Sequence, residues 1–211
     1  VVVGYMFWGT LSAMACTGIT LKSQNGTAVV ARTIEWGGSN LNSQYVIVPR
    51  GYSEQSFTPD GQNGMVFIAR YGYVGLAVEQ KEFIAEGINE AGLSAGLFYF
   101  PHYGEYEDYD KKVADSSISD FQLVSWILGR CTTLEEVKEA VANVHIINID
   151  SRASTVHWRF ADQTGRQLVL EIIGKETHFY ENNLGVLTNS PGFEWHLTNL
   201  NNYVNLYPGT A

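Results

Sequence analysis

The chain has 211 residues, of which 45% are hydrophobic and 17% are charged, and this balance predicts one globular domain with a sizeable core rather than a disordered chain. It carries 13 basic and 22 acidic residues, a net charge of −9, without a cluster of Lys and Arg that could follow a phosphate backbone, so nucleic-acid binding is set aside. Two cysteines are too few for a disulfide framework to organise the fold.

The first 15 residues form an apolar run that ends in Ala13-Met14-Ala15, directly before Cys16. This small-x-small ending is typical of a signal-peptidase site, so residues 1–15 are interpreted as a signal-like pro-segment and residues 16–211 as the mature domain. The run is too short to cross a membrane as a helix, and no stable membrane insertion is expected. Cleavage after Ala15 would make Cys16 the first residue of a secreted or periplasmic protein.

A cysteine after such a segment has a second explanation, in which it is acylated and anchors a lipoprotein. That route favours Leu three positions before the cysteine, where this chain has Ala13. The rival hypothesis is therefore a lipid-anchored, non-catalytic ligand-binding protein with Cys16 acylated.

The next segments predict a β-hairpin. Residues 18–24 and 27–33 are rich in β-forming side chains and flank the pair Asn25-Gly26, a strong signal for a two-residue type I′ turn. In that register Cys16 falls opposite Glu35, which brings an acid beside it. Arg32 then lies one pleat out of phase with Cys16 and needs a bulge or a diagonal reach to approach the sulfur.

The rest of the chain predicts strands, then helices, then strands, an α+β arrangement. Phe121, Val124, Ile127 and Leu128 have helical spacing, and Thr133 with Glu136 forms a capping box for a second helix through Val144. Hairpin turns are predicted at 162–165 and 174–175. The further strands are predicted at 44–49, 65–76, 93–100, 155–161, 166–173 and 176–180.

The five histidines and Cys131 are assigned no chemistry. The five histidines lack the spacing of metal ligands, and neither a metal nor another cofactor is expected. Cys131 follows an apolar helical pattern, which predicts a buried thiol or a thiol at a helix end.

Four ordered motifs resemble the choloylglycine hydrolase family, which contains bile salt hydrolases and penicillin V acylases. They are C-T-G from Cys16, A-R-T-I-E-W at 31–36, E-G-I-N-E-A-G-L at 86–93 and L-T-N-S-P-G-F-E-W-H at 187–196. The resemblance runs from Cys16 to about Asn205. It implies the N-terminal-nucleophile fold, an αββα four-layer sandwich, a homo-oligomer (a tetramer), and hydrolysis of a linear, non-peptide amide with an apolar acyl part.

The resemblance also implies roles for individual residues. Cys16 is similar to the family's nucleophile and Arg32 to the arginine beside it. Asn189 is similar to the side-chain donor of the oxyanion hole, and the backbone at Tyr99 to the second donor. Tyr99 and the run W-H-x-T-N-L at 195–200 favour the penicillin V acylase branch slightly over the bile salt hydrolases.

Two departures from the family pattern stand out. The acid nineteen residues after the nucleophile is Glu35, where the family usually has Asp. A family arginine and the closing C-terminal strands have no counterpart before Ala211, so the 211 residues are expected to be an incomplete domain.

The chemistry explains why these residue types belong together. An N-terminal cysteine carries its own base, because its α-amino group has a pKa near 8 and can take the thiol proton. Arg32 would favour the thiolate, and Glu35 would orient the ammonium that forms. Asn189 and the backbone at Tyr99 would stabilise the tetrahedral oxyanion.

Overall fold

The computed structural model describes residues 16–35, 40–150, 154–206 and 209. The signal-like segment at 1–15 and Trp36 of the second motif lie outside the described residues.

Fourteen strands and three α-helices make up the described part. In chain order the strands are β1 (Thr17–Lys22), β2 (Ala28–Thr33), β3 (Gln44–Val48), β4 (Ser53–Gln55), β5 (Val66–Ile68), β6 (Tyr73–Ala77), β7 (Ile84–Asn89), β8 (Ser94–Tyr99), β9 (Ser117–Ser119), β10 (His145–Ile147), β11 (Val156–Ala161), β12 (Gln167–Ile173), β13 (Glu176–Glu181) and β14 (Val186–Thr188). The helices are α1 (Leu123–Arg130), α2 (Leu134–Val141) and α3 (Phe193–Leu200), and short 3₁₀ turns lie at Lys111–Ser116, Asp120–Gln122 and Asn201–Tyr203.

Two antiparallel sheets form the body of the fold. The larger has seven strands in the order β13-β12-β11-β8-β7-β6-β3, and the smaller has three in the order β14-β1-β2. Two-stranded pairs, β9 with β10 and β4 with β5, complete the strands. Helix α1 packs on β7 and β8, and the buried residues of α1 and α2 share one apolar core with the seven-stranded sheet.

The two faces of the seven-stranded sheet differ in chemistry, because side chains alternate along each strand. The helix-facing side is apolar and includes Leu97, Trp158, Phe160 and Leu170. The opposite side carries ionisable side chains, namely the buried His157, Arg159 and Glu171 and the partly buried Glu86. The three-stranded sheet packs on this second side, where the Cα of Gly18 lies against Arg159 and Phe98. The layers therefore run helices, sheet, sheet, with a partly polar seam between the sheets.

Most predicted strands and both predicted turns are confirmed within a residue or two. The single strand predicted at 65–76 is wrong. It divides into β5 and β6 because the N–H groups of Arg70 and Tyr71 donate to the carbonyl of Gly129, at 2.7 and 3.1 Å, instead of to a neighbouring strand.

The second predicted helix begins as expected and ends early. The Thr133 hydroxyl caps it by accepting the Glu136 N–H at 3.2 Å, while the Glu136 carboxylate accepts the N–H of Thr132 at 2.6 Å. It ends at Val141 rather than Val144, because the chain tightens into a turn and enters β10.

The predicted hairpin exists, but its register is wrong by one residue. The loop holds three residues, since Ser23 N–H donates to Thr27 O at 2.9 Å, and Gly26 takes the positive φ of +88° that closes it. Gly18 therefore pairs with Arg32, and Glu35 is not opposite Cys16. This register places Arg32 on the same face of the sheet as Cys16, so the arginine needs no bulge to reach the nucleophile's side.

Candidate active site

Cys16 lies at the start of β1, in the seam between the two sheets. It is 7% exposed, and its sulfur lies 3.8 Å from the carbonyl oxygen of Glu35. The Thr188 hydroxyl donates to the Cys16 carbonyl at 2.8 Å. The backbone of the candidate nucleophile is therefore held between the ends of β2 and β14.

Arg32 is fixed on the same side of the sheet. Its Nη1 donates to the carbonyls of Ala85, at 3.2 Å, and Leu97, at 2.5 Å. It also lies 3.4 Å from a carboxylate oxygen of Glu86, and its guanidinium carbon lies 4.1 Å from the centre of the Phe98 ring. The side chain is only 5% exposed, so these contacts hold the guanidinium in a buried position.

A second buried arginine completes a charged cluster behind Arg32. Arg159 donates from Nη2 to Glu86 Oε1 at 3.0 Å and is 1% exposed. Burial raises the pKa of Glu86, against the two guanidinium groups that lower it, and burial lowers the pKa of Arg159. Two guanidinium groups share one carboxyl group, so the cluster is positive in sum.

Sequence reasoning assigned no role to Glu86 or Arg159. A usable signal was present in β11, where His157 and Arg159 alternate with Trp158 and Phe160. Charged or polar residues inside an otherwise apolar strand require buried partners.

Asn189 and Tyr99 are joined directly. The Asn189 Oδ1 accepts the backbone N–H of Tyr99 at 3.0 Å, and Ser190 N–H donates to the Tyr99 carbonyl at 3.2 Å. Because that N–H can only donate, the amide oxygen of Asn189 faces it and the Nδ2 donor points elsewhere. Asn189 is 7% exposed, and its own carbonyl is bonded by His196 Nε2 at 3.2 Å.

This bond changes the expected oxyanion hole. The resemblance implied that the Tyr99 backbone would be the second donor, but its N–H is engaged by Asn189. The role of the Asn189 side chain as an oxyanion donor stays a prediction, and a second donor would have to come from another group or from a rearrangement of this bond. The Tyr99 hydroxyl bonds to Ser154 Oγ at 3.0 Å.

Glu35 is exposed, and its described contact with Cys16 is made by its carbonyl oxygen. The sequence had suggested that the hairpin register would bring the Glu35 carboxylate to Cys16, and the observed register does not do so. Cys131 is a buried thiol at the C-terminal end of α1, as predicted, and burial raises its pKa to about 12.

A cavity of about 330 Å³ opens beside these groups. Its polar lining is Cys16, Arg32, Glu35, Tyr99 and Ser154, and its apolar lining is Ile34, Leu41, Val78, Ala85, Leu97, Phe121 and Val156. Such a space is of the size that binds small ligands, roughly 300–1,000 Å³. A nucleophile, a cation and an apolar wall thus share one pocket.

Two further surveys concern the described ranges alone. Within residues 16–35, 40–150 and 154–206, no three or more His, Cys, Asp or Glu side chains are grouped so as to hold a metal ion. None of the helices in that part of the chain has the length and apolarity needed to cross a membrane.

The fold is that of the N-terminal-nucleophile hydrolases. A family profile described as "Linear amide C-N hydrolases, choloylglycine hydrolase family" matches residues 16–211, and the chain belongs to this family. The expected fold class is confirmed by solved structures. A variant of conjugated bile acid hydrolase from Clostridium perfringens superposes with a TM-score of 0.80 at 31% identity, over 93% of this chain and 60% of that one. Penicillin V acylase from Agrobacterium tumefaciens gives a TM-score of 0.77 at 25% identity, over 92% and 60%.

The curated relatives include both branches of the family. A bile salt hydrolase/transferase from Clostridium perfringens is 32% identical over 199 residues, which cover 90% of this chain and 58% of the relative. Penicillin V acylase from Pectobacterium atrosepticum is 24% identical over 208 residues, covering 92% and 54%. The chain thus spans less than two thirds of the length of these relatives.

Proposed function

We propose that this protein hydrolyses a linear amide through an acyl-thioester on Cys16. The observation that carries the proposal is that Cys16 and Arg32 line one cavity with apolar walls. Family membership supports the bond type. The sulfur, the cation and the Asn189 side chain supply a nucleophile, a field that favours its anion and a donor for an oxyanion.

The first half-reaction begins once residues 1–15 are removed. The free α-amine of Cys16 takes the thiol proton, and the sulfur adds to the amide carbonyl carbon, which forms the C–S bond and an oxyanion. Asn189 Nδ2 donates to that oxyanion; loss of such a donor lowers turnover by about 10²–10³. As the intermediate collapses, the C–N bond breaks and the proton on the α-ammonium passes to the leaving nitrogen.

The second half-reaction hydrolyses the thioester and regenerates the free enzyme. Water adds to the thioester carbonyl and gives a proton to the α-amine. The C–S bond breaks, the thiolate recovers that proton, and the acid leaves. The α-amine therefore acts as base and acid in both halves, which agrees with the absence of histidine among the described residues that line the cavity.

The substrate is proposed to carry an apolar acyl group. A cavity near the lower end of ligand-pocket sizes, together with Tyr99 on its wall, favours the compact aryl-acyl group of penicillin V. Conjugated bile salts are the second candidate, favoured by the higher identity to the bile salt hydrolase/transferase, 32% against 24% for penicillin V acylase.

The cellular setting follows from the signal-like segment. We propose that the mature protein is secreted or periplasmic and begins at Cys16 with a free amine. Mass spectrometry of the mature N-terminus distinguishes this from the diacylglyceryl-modified cysteine of the lipid-anchored alternative. The homo-oligomer implied by the resemblance is likewise proposed, and light scattering measures it.

The test compares the two cysteines in the full protein processed to Cys16. Cys16→Ala should abolish release of the amine from penicillin V, glycocholate and taurocholate while the protein stays folded, because the sulfur bonds the substrate and contributes little packing. Cys131→Ala, also buried, is the matched control and should retain turnover. Hydrolysis by the Cys16→Ala protein at the wild-type rate would overturn the mechanism.

A further inference from the structure

A buried histidine–carboxylate pair lies between the sheets, outside the candidate cavity. His157 Nδ1 lies 2.9 Å from Glu171 Oε1, and the two side chains are 0% and 1% exposed. The imidazole stacks on Phe100, with ring centroids 4.3 Å apart and planes inclined by 8°. Removing such groups from water costs free energy unless they are fully paired. We therefore expect this pair to have a function in the fold or in the site.

The partners fix one proton of the pair. His157 Nε2 lies 2.9 Å from the carbonyl oxygen of Thr188, which can only accept, so Nε2 carries a hydrogen. A second proton lies between Nδ1 and the Glu171 carboxyl group. Whichever of the two atoms holds it, the imidazole keeps its Nε2–H aimed at Thr188.

The same pair holds the other end of the segment that carries Asn189. Glu171 Oε1 accepts the N–H of Phe193 at 2.9 Å, the first residue of α3. The N-cap of α3 is Gly192, which has no side chain to cap the helix, so Glu171 from β12 takes that place. A Cβ at Gly192 would come within 3.2 Å of the other oxygen of Glu171.

The pair therefore fastens both ends of residues 188–193. At the first end, Thr188 also reaches Cys16, since its hydroxyl donates to the Cys16 carbonyl at 2.8 Å. Next to it, Asn189 and Ser190 make the two bonds to the Tyr99 backbone. One strand residue thus connects the imidazole to the nucleophile and to the oxyanion donor.

We infer that His157 and Glu171 are positioning residues that seat Thr188 and Asn189 relative to Cys16. They touch neither the cavity nor the reacting atoms and act through the backbone of residues 188–193. The consequence for turnover rests on the proposed function, whereas the seating itself does not.

Amide hydrogen exchange tests the seating without any substrate. The Tyr99 amide is bonded to the Asn189 side chain and the Ser190 amide to the Tyr99 carbonyl, so both report on this segment. His157→Phe keeps an aromatic ring against Phe100 and removes both ring nitrogens. It should speed exchange at these two amides by about tenfold or more relative to the amides of α1, the size expected from loss of a charge-assisted hydrogen bond.

Controls separate seating from general loosening. Trp158→Phe trims a buried side chain on the same strand but on the helix-facing side, and should leave the two amides unchanged relative to α1. If His157→Phe does not fold, Glu171→Gln serves instead. It keeps an acceptor for the Phe193 N–H and should accelerate the same two amides by a smaller factor.

Turnover gives a second, separable readout. His157→Phe should lower kcat by about 10–10² with little change in KM, because misplacement of a catalytic group by about 1 Å can cost 10²-fold. In an Asn189→Ala background, His157→Phe should lower kcat little further, because both substitutions affect the same proposed oxyanion donor. A folded His157 or Glu171 variant with unchanged exchange at Tyr99 and Ser190 overturns the inference. If the variants show faster exchange at these two amides but the wild-type protein hydrolyses none of the amide substrates, the proposed function is overturned and the positioning role of His157 and Glu171 stands.

Discussion

Replacing Gly18 by alanine should displace the nucleophile, because the two sheets approach closely at this glycine, two residues after Cys16. A Cβ at Gly18 would lie 2.4 Å from Arg159 Nη1 and 2.8 Å from Phe98 Cζ. Both neighbours are confined. Arg159 is 1% exposed and bonded to Glu86 at 3.0 Å, and Phe98 is fully buried.

The size of the displacement follows from these distances. Ordinary contact for a Cβ begins at 3.4 Å, so β1 must move outward by about 1 Å, or the arginine must give up its bond to Glu86. Overpacking of this kind costs about 1–3 kcal/mol of stability. Cys16 lies two residues before Gly18 on the same face, and a shift of about 1 Å at the nucleophile is expected to lower kcat by about 10²-fold.

The assay pairs urea denaturation with kcat and KM for Gly18→Ala. Gly72→Ala is the matched control, because the nearest atom to its Cβ would be the Val48 carbonyl oxygen at 3.4 Å. The control should change kcat by less than about twofold, as expected for a substitution without a clash. Wild-type stability together with wild-type kcat in Gly18→Ala would refute the close approach between the sheets as the feature that places Cys16.

Three further predictions address charge and processing. Burial raises the pKa of the Asp120 carboxyl group from 3.8 to about 7. Between about pH 4 and about pH 7 the folded state therefore binds a proton that the unfolded state does not bind, and the stabilising effect of this protonation is lost as the pH rises through that range. Asp120→Asn should therefore be more stable than wild type by about 1–3 kcal/mol at pH 8, with the gain disappearing near pH 4, in urea melts; an equal gain at both pH values contradicts the assignment. Glu35 is not opposite Cys16 in the hairpin but lines the same cavity, so Glu35→Asp should be tolerated, whereas Glu35→Gln should lower kcat/KM and move the basic limb of its pH profile to lower pH, because the cavity that holds the proposed α-ammonium loses a negative charge; a Gln variant that matches wild type from about pH 4 to about pH 9 removes Glu35 from the site. Protein that retains Met14-Ala15 before Cys16 should be inactive, because a peptide nitrogen cannot act as the base, and full activity in protein shown by mass to keep these residues is the opposing result.

The motifs in the sequence identified the family and its fold, whereas local patterns did not predict the register of the hairpin. The spacing of Cys16, Arg32 and Asn189 could be matched to a family without coordinates. The hairpin register could not, because Asn25-Gly26 suits both a two-residue and a three-residue loop. The bonds that Ser23 makes across the turn select the longer loop, and that one-residue difference decides whether Arg32 or Glu35 shares the face of Cys16.

The supporting charges were harder to foresee. Arg159 and His157 are visible in the sequence as polar residues inside an apolar strand, but their partners lie far along the chain. Glu86 is 73 residues from Arg159, and Thr188 is 31 residues from His157. The first pair is created by the order of strands within the seven-stranded sheet and the second by the stacking of the two sheets, and local propensity encodes neither.

The most direct test of the central claim is the mass of the enzyme during turnover. Full protein beginning at Cys16 is mixed with penicillin V, and separately with glycocholate, quenched in acid within the first turnover, digested and analysed by mass spectrometry. The account predicts that one of these acyl groups appears transiently on the peptide that starts with Cys16, and that the Cys16→Ala protein shows no such adduct. Hydrolysis that proceeds while the acyl group is found on another residue, such as Cys131, would contradict it.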